Sequence, residues 1–326
     1  MSSMENIKKS ERKAIGILLG TAVGDILGAP VEGYSRDQLI GQFGELNDFL
    51  PSGRGYGNYT DDTEMTLALA ESIVDQNGVD ARDCALKYAR FYSPWRGYGA
   101  GTHKVLHALR QGEDYTKTGR LVFSDGSFGN GGAMRIAPVG YIHRNSKRTE
   151  MRRAVTDALL CTHVHPIGID GAVIQARMIG ILANLKGAGD VDPVEICATL
   201  RKEAADKIIV QKIDIIEKLI IRRDPDDAAI LNLGNGINAS EAVSCSIFAT
   251  LKYFEDPENA VIKSVMLGGD TDTIGAMCGA HMGALYGFDW LPDRWLNNIE
   301  NYFHGRDYIL HLGKGLAQVE QASSKK

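Results

Sequence analysis

Apolar residues recur along most of the chain at the three- and four-residue spacing that is typical of amphipathic helices. In residues 11–28 this spacing is accompanied by small residues, among them Gly20 and Gly24, which allow a second helix to pack closely. Turn-forming residues separate further stretches of the same kind. The pattern predicts helices over residues 11–28, 62–76, 81–92, 101–111, 132–143, 148–162, 168–186, 193–205, 211–222, 239–254, 258–267, 273–286, 293–302 and 307–321.

The alternation of apolar and polar residues that marks half-buried strands is missing from the sequence. The segment VFSDGS at 122–127 is the one place where a short extended piece is expected. The chain is therefore predicted to be all-α. Because no stretch rich in Pro, Ser or Gly divides it, we expect a single domain over residues 1–326, with an ordered core of about 10–322.

Composition excludes some classes of function, but it adds little to the prediction of the fold. The 326 residues are 44% hydrophobic and 24% charged, as in ordinary globular proteins. A formal net charge of −5 and the lack of a dense Lys/Arg stripe argue against a nucleic-acid partner. The five cysteines are widely spaced and form no CxxC pair, which predicts reduced, buried thiols.

The sequence carries no sign of export or of membrane insertion. The opening MSSMENIKKSERK has no apolar stretch after its basic residues, unlike a signal peptide. No run of about 18 apolar residues is present, so we expect no transmembrane helix and no membrane partner. The expected protein is a cytoplasmic monomer, with a nuclear or mitochondrial fraction left open.

Two clusters of carboxylates and hydroxyls interrupt the apolar pattern, each directly before a predicted helix. They are Thr60, Asp61, Asp62 and Thr63 in NYTDDTEMT, and Asp270, Asp272 and Thr273 in LGGDTDTIGA. Side chains two residues apart point to different faces of a helix, whereas a turn at a helix start can aim both at one point. Several oxygen donors arranged in this way suit a hard cation such as Mg²⁺.

Helix capping is the plainer interpretation of either cluster alone. Asp and Thr at a helix start are common N-caps and stabilise the helix by about 1 kcal/mol. One cap residue suffices for each helix, however, and each of these starts has several. The presence of two such clusters therefore favours a metal site over capping alone.

Two further motifs suit a ligand with an anionic group. SFGNGGAMRIAP at 127–138 and RGYGAGTHKV at 96–105 place glycines before apolar runs, where backbone N–H groups can approach an anion. Neither is a Walker A loop, since no Gly-Lys-Ser/Thr follows. In CTHVHPIGIDGA, His163 and His165 allow a zinc pair, a ligand contact or ordinary packed histidines, although no cysteine lies at ligand spacing.

Taken in order, these motifs resemble the ADP-ribosylglycohydrolase family, which includes the dinitrogenase-reductase-activating glycohydrolases and the vertebrate ADP-ribosylhydrolases. The motifs are GTAVGDILGAPVE at 20–32, YTDDTEM at 59–65, RGYGAG at 96–101, FGNGGAMRIAP at 128–138, THVHPIGIDGA at 162–172, LGNGI at 233–237 and LGGDTDTIGAMCGA at 267–280. FGNGGAMR and LGNGI are most similar to the branch that removes ADP-ribose from serine and degrades poly(ADP-ribose). THVHP is more similar to the arginine-specific branch.

The resemblance implies a compact, orthogonally packed helical fold around two Mg²⁺ ions, with Mn²⁺ as a possible substitute. The implied metal ligands are Thr60, Asp61, Asp62, Asp270, Asp272 and Thr273. The implied catalytic residues are Glu32, Asp61 and Asp62, of which Glu32 matches a glutamate proposed as an acid/base or a metal-linked gate. The implied substrate contacts are Gly99, Gly101, Ser127, Phe128, Gly129, Asn130, Gly131, Gly132, His163 and Ile237.

The implied function is metal-dependent hydrolysis of the glycosidic bond between ADP-ribose and a protein side chain, serine or arginine, or within poly(ADP-ribose). ADP-ribosylated proteins are then the partners and ADP-ribose is the product. Two alternatives stay open. DTDT at 270–273 also matches a DxDxT phosphatase nucleophile, a motif that belongs after a strand in an alternating α/β chain. The second alternative is a non-catalytic ADP-ribose-binding or crystallin-like structural protein on the same scaffold.

Overall fold

The computed structural model describes residues 8–323 of the chain. Within that range seventeen α-helices are found and no strand, only three isolated bridges, so the all-α prediction is confirmed. The helices are α1 (Lys9–Gly28), α2 (Arg36–Phe43), α3 (Asp61–Gln76), α4 (Ala81–Phe91), α5 (Ala100–Arg110), α6 (Tyr115–Thr118), α7 (Ala137–Ile142), α8 (Arg148–Leu159), α9 (Pro166–Asn184), α10 (Pro193–Glu203), α11 (Lys207–Arg222), α12 (Asp226–Leu233), α13 (Ala239–Tyr253), α14 (Pro257–Val265), α15 (Thr271–Tyr286), α16 (Asp293–Leu296) and α17 (Arg306–Ser323).

Three of these helices, α2, α6 and α12, are missing from the sequence prediction because each is short. Helix α2 buries only Leu39, so its apolar residues form no readable period. Its start is set instead by a capping box: the Gln38 backbone N–H donates to Ser35 Oγ at 3.3 Å, and the Ser35 N–H donates to Gln38 Oε1 at 2.8 Å.

Three predicted segments are wrong in part. The helix expected over 132–143 begins only at Ala137, because Asn130–Gly132 form a short 3₁₀ helix followed by a turn, and Pro138 is placed in the first turn of α7, where it needs no N–H partner. The helix expected over 293–302 ends at Leu296, since the Glu300 N–H donates to the Gly57 carbonyl at 2.9 Å instead of continuing the helix. VFSDGS forms a turn closed by Gly126 N–H on the Phe123 carbonyl at 2.9 Å, not an extended piece.

Helices α1 and α15 pack in the core with their backbones in direct contact. A Cβ added at Gly24 would lie 2.0 Å from the Gly275 carbonyl oxygen, and one at Gly20 would lie 2.1 Å from the Gly279 carbonyl oxygen. No side chain fits in such a gap, so these positions accept glycine alone. The small residues of α1 thus have the packing role that the sequence predicted.

This contact brings the end of α1 to the start of α15. The Thr271 hydroxyl donates to the Gly28 carbonyl at 2.9 Å. The turn after α1 is bonded to the turn before α15, since the Gly33 N–H donates to the Gly269 carbonyl at 2.8 Å. Two segments far apart in sequence are therefore held together by backbone geometry.

Two segments, Lys9–Val31 and Pro166–Asn184, are long and apolar enough to cross a membrane by length and composition alone. In their most apolar windows, 94% and 78% of the residues are buried inside the protein. Buried core helices pass the same test, so it is weak support for a membrane span. The five cysteines are buried and unpaired, as the sequence predicted. The single-domain organisation stays a prediction.

Candidate active site

A cavity of about 400 Å³ is lined by Glu32, by the starts of α3, α5 and α15, and by the glycine-rich loop before α7. Every predicted site residue lines it except Thr60 and Gly132. Thr60 is fully buried behind Asp62, and a Cβ on Gly132 would meet the Leu159 side chain at 2.8 Å. The predicted residues that line the cavity are Glu32, Asp61, Asp62, Gly99, Gly101, Ser127, Phe128, Gly129, Asn130, Gly131, His163, Ile237, Asp270, Asp272 and Thr273.

The start of α3 needs only one of its polar residues as a cap. Thr60 is that cap: its Oγ1 accepts from the Asp62 N–H at 3.3 Å and donates to Asp62 Oδ2 at 3.2 Å. The carboxylates of Asp61 and Asp62 are therefore not needed to cap the helix. The second oxygen of Asp62, Oδ1, is buried and has no hydrogen-bond partner among residues 8–323. A buried carboxylate oxygen in that state calls for a ligand.

The α3 start is fixed by a residue that sequence reasoning overlooked, Asp25. This carboxylate of α1 is fully buried and accepts from the backbone N–H groups of Thr60 and Thr63 at 3.0 Å and from the Thr63 hydroxyl at 2.6 Å. Burial raises its pKa to about 6, against these hydrogen bonds, which lower it. Asp25 thus anchors the α3 turn to α1.

The start of α15 holds the second group of carboxylates. Gly268 and Gly269 precede it with φ of 75° and 77°, a backbone region that favours glycine. Asp270 accepts a hydrogen bond from the Asn130 side chain, and the Thr273 N–H donates to Asp272 Oδ1 at 2.9 Å. Carboxylate oxygens of Glu32, Asp270 and Asp272 all lie within 4.8 Å of one another.

Five carboxylates therefore share one end of the cavity, where the charge of Arg54 acts on Glu32, in the direction that lowers its pKa, but forms no salt bridge with it. None of them forms an ion pair with a Lys, Arg or His in the described part of the chain. Burial raises the pKa of Asp61 to about 8, with Asp25 as the next cause, and raises that of Asp272 well above its usual range, with Asp62 next. Burial and the charge of Asp270 raise the pKa of Glu32. The cluster needs a counter-charge to hold all these groups ionised.

The donor set fits a hard divalent cation. Mg²⁺ and Mn²⁺ prefer carboxylate and hydroxyl oxygens, and both Asp62 Oδ1 and the three-carboxylate group offer them. The position of Asp270 in the fold argues against the DxDxT phosphatase hypothesis. Asp270 follows a Gly-Gly turn after a helix, and no strand precedes it within residues 8–323.

The glycine-rich loop forms the part of the cavity wall next to Asp270, to which its Asn130 side chain donates. It is tied to the segment of Ile237, because the Asn130 N–H donates to the Ile237 carbonyl at 2.9 Å and the Ala239 N–H donates to the Phe128 carbonyl at 3.1 Å. The side chains of Phe128 and Ile237 are 51% and 70% exposed. They offer apolar contacts at the cavity mouth, which suits a planar group such as a base.

The two histidines of THVHP have different positions. His165 accepts from the Ile167 N–H at 3.2 Å and caps α9, and its ring lies 5.7 Å from that of Phe128. His163 is buried and lines the cavity beside Gly131. No metal-ligand group in the described residues includes either histidine, so the zinc interpretation gains no support.

Besides Asp25, sequence reasoning missed Arg135, which is fully buried and lines the cavity below the glycine-rich loop. One signal was available for both residues. Each is a charged residue inside an apolar stretch, a placement that is costly unless tertiary partners compensate.

Known proteins resemble this chain over nearly its whole length. The family model "ADP-ribosylglycohydrolase" matches residues 6–326. An uncharacterized protein of Archaeoglobus fulgidus is 37% identical over 95% of this chain and 97% of its own. The ADP-ribosylhydrolase ARH3 of Danio rerio is 31% identical over 91% of this chain and 89% of its own.

A solved structure has the same fold as this chain. A chain of an "ADP-ribosylglycohydrolase-related protein complex" superposes with a TM-score of 0.75 and 26% identity. The match covers 96% of this chain and all of that one.

Proposed function

The chain belongs to the ADP-ribosylglycohydrolase family and is a glycosyl-bond hydrolase, and from this premise we propose that it releases ADP-ribose from a modified protein side chain, serine or arginine, or from poly(ADP-ribose), with two Mg²⁺ ions. The observation that carries the proposal is the shared cavity. It is lined by the carboxylates of Glu32 and of the starts of α3 and α15, by the glycine-rich loop beside them, and by the exposed side chains of Phe128 and Ile237. An extended ligand with a diphosphate and two ribose groups suits this distribution.

The ions have donors on both sides of the cluster. The residues that would hold them are Thr60, Asp61, Asp62, Asp270, Asp272 and Thr273, with Glu32 in reach of the α15 pair. Divalent cations bound there would supply a positive charge that attracts the ribose hydroxyls and neutralises the buried carboxylates. Mn²⁺ has the same ligand preference and is proposed as a substitute.

The proposed hydrolysis breaks the bond between the anomeric carbon and the side-chain oxygen or nitrogen. Positive charge develops on the sugar as this bond lengthens. Glu32, the exposed member of the cluster, takes a proton from the attacking water and returns one to the leaving atom. The oxygen of water ends on the anomeric carbon. Although the residue reaches solvent, partial desolvation of its carboxyl group and then the charge of Asp270 raise the pKa of Glu32, which suits a group that must both accept and donate a proton.

The sharpest test of the function is a panel of serine-linked, arginine-linked and polymeric substrates, each with and without Mg²⁺. We expect release of ADP-ribose that EDTA abolishes. The serine-linked peptide and the polymer are expected to be cleaved faster than the arginine-linked peptide, because most of FGNGGAMR, with Ile237 of LGNGI, lines the cavity, against only Thr162 and His163 of THVHP. Binding of ADP-ribose without turnover of any substrate would instead show a binding or structural protein.

Glu32→Gln is expected to lower kcat by about 10²–10⁴-fold, because the amide cannot move a proton. The dissociation constant of ADP-ribose should change little, since the glutamine keeps the shape of the side chain. Single-turnover kinetics and calorimetry measure the two effects. Glu113→Gln, at an exposed position, is the matched control and should leave both values unchanged. Equal activity of the two variants would rule out Glu32 as the acid/base.

The cytoplasmic location and the monomeric state are proposed on composition alone. They stay predictions, open to cell fractionation and to light scattering of the purified protein.

A further inference from the structure

Arg135 is a buried cation without a carboxylate partner in the described range. Its side chain is fully buried, and its guanidinium donates to the Gly131 carbonyl and to Thr162 Oγ1 and lies 4.5 Å from the Tyr88 ring centroid. Its Nε has no hydrogen-bond partner within residues 8–323. A buried charge that is not neutralised is costly to a fold. Such a group beside a ligand cavity calls for an explanation.

The contact with Thr162 determines where the Thr162 hydroxyl proton points. A guanidinium only donates, so Thr162 Oγ1 must accept from Arg135. The nearby Leu159 carbonyl already accepts the N–H groups of Thr162 and His163, both at 2.9 Å, and lies 3.4 Å from Oγ1. His163 Nδ1 is closer, at 3.0 Å. Because Nδ1 is the nearer acceptor and the Leu159 carbonyl already accepts two N–H groups, the geometry favours donation of the hydroxyl to an unprotonated Nδ1 over its longer bond to Leu159.

With Nδ1 as an acceptor, the proton of a neutral His163 ring is on Nε2. Burial, and then the charge of Arg135, lower the pKa of His163 to about 3, so the ring stays neutral. The Nε2 edge lies over the glycine-rich loop: a Cβ on Gly131 would be 3.0 Å from it. Nε2 has no partner in the described part of the chain, and His163 lines the cavity.

We propose that Arg135, acting through Thr162, is a positioning residue that fixes the proton of His163 on Nε2 and so aims a neutral N–H donor at the diphosphate of bound ADP-ribose. The inference rests on the proposed function for the identity of the ligand. The uncompensated charge of Arg135 attracts the same diphosphate from behind the loop. A neutral donor with a fixed proton binds the anion without first having to exchange tautomers.

The tautomer can be measured without any ligand, in full-length protein labelled with ¹⁵N-histidine. Long-range ¹H–¹⁵N spectra, with the His163 signals assigned by their loss in His163→Gln, should show an unprotonated Nδ1 and a protonated Nε2. Thr162→Val, which keeps the shape but removes the relay hydroxyl, should give a mixture of both tautomers. Thr162→Ser restores a hydroxyl and should restore the wild-type signature.

Calorimetry with ADP-ribose and with adenosine gives the second measurement. Thr162→Val should weaken ADP-ribose binding about three- to tenfold, and Arg135→Met about ten- to a hundredfold, since it also removes the charge. Adenosine, which lacks the diphosphate, should bind all variants alike. Thr162→Val keeps the test informative if Arg135→Met does not fold.

Two results would overturn the inference. One is a wild-type His163 with its proton on Nδ1, and the other is Thr162→Val with unchanged spectra and unchanged ADP-ribose affinity. Failure of the proposed function is separate: the wild-type protein would then not bind ADP-ribose, whereas the tautomer would still be readable in the ligand-free protein.

Discussion

Asp272→Asn is expected to abolish hydrolysis while making the metal-free protein harder to unfold. The substitution removes a cation ligand from the centre of the carboxylate cluster, so activity with Mg²⁺ should fall at least about a thousandfold. It also removes a buried carboxyl group whose ionised form burial and Asp62 disfavour when no cation is bound, as its raised pKa indicates, so the folded state no longer bears the cost of that charge or of the proton that neutralises it. The melting temperature in EDTA should therefore rise, by about 2 °C or more.

The two effects are measured by ADP-ribose release and by thermal unfolding with and without Mg²⁺. Wild-type protein should be stabilised by added Mg²⁺, because the ion binds the folded state, and Asp272→Asn should lose most of that shift. Asp125→Asn, at an exposed position, is the control and should change neither quantity. A variant that kept its activity and its response to Mg²⁺ would contradict the metal site.

Gly24→Ala is expected to destabilise the protein strongly, as one of the substitutions that would place a methyl group directly against backbone in the contact between α1 and α15. The new Cβ would lie 2.0 Å from the Gly275 carbonyl oxygen, and backbone on both sides prevents relief by rotation of a side chain. Helices α1 and α15 must separate, at a cost of at least about 3 kcal/mol. Urea unfolding measures the loss, or low soluble yield reveals it.

Gly41→Ala provides the matched control, since it lies in helix α2 and a Cβ there meets nothing within 4 Å. That variant should be about 0.5–1 kcal/mol more stable, because alanine costs less backbone entropy in a helix. If Gly24→Ala unfolded at the same urea concentration as the wild type, the backbone contact between α1 and α15 would be disproved.

The sequence predicted the long helices because their apolar spacing extends over many residues. It missed α2, α6 and α12, whose few buried residues leave no period. It extended α16 too far, since the bond between Glu300 and Gly57 that ends this region joins residues far apart in sequence. The spacing of apolar residues indicates which face of a helix is buried. It does not indicate where a contact with a residue distant in sequence ends that helix.

The sequence predicted the parts of the candidate site in which several functional side chains lie close together along the chain, as in the carboxylates before α3 and α15. Glu32 was singled out only through the family resemblance, because an isolated glutamate in a loop has no pattern of its own. Asp25 and Arg135 gain meaning only from partners that the fold supplies, namely the α3 turn for Asp25 and Thr162 with Gly131 for Arg135. These tertiary hydrogen bonds cannot be predicted from the spacing of residues along the sequence.

The pairing of α1 with α15 also shapes how the chain matures on the ribosome. The hydroxyl of Thr271 and the carbonyl of Gly28, which meet at the junction of the two helices, are 243 residues apart. At roughly 5–20 residues per second, synthesis of the intervening segment takes on the order of 10–50 s. During that interval the apolar first helix can already pack against α3 and α7, but the face that contacts α15 stays uncovered until the last fifth of the chain has been synthesised.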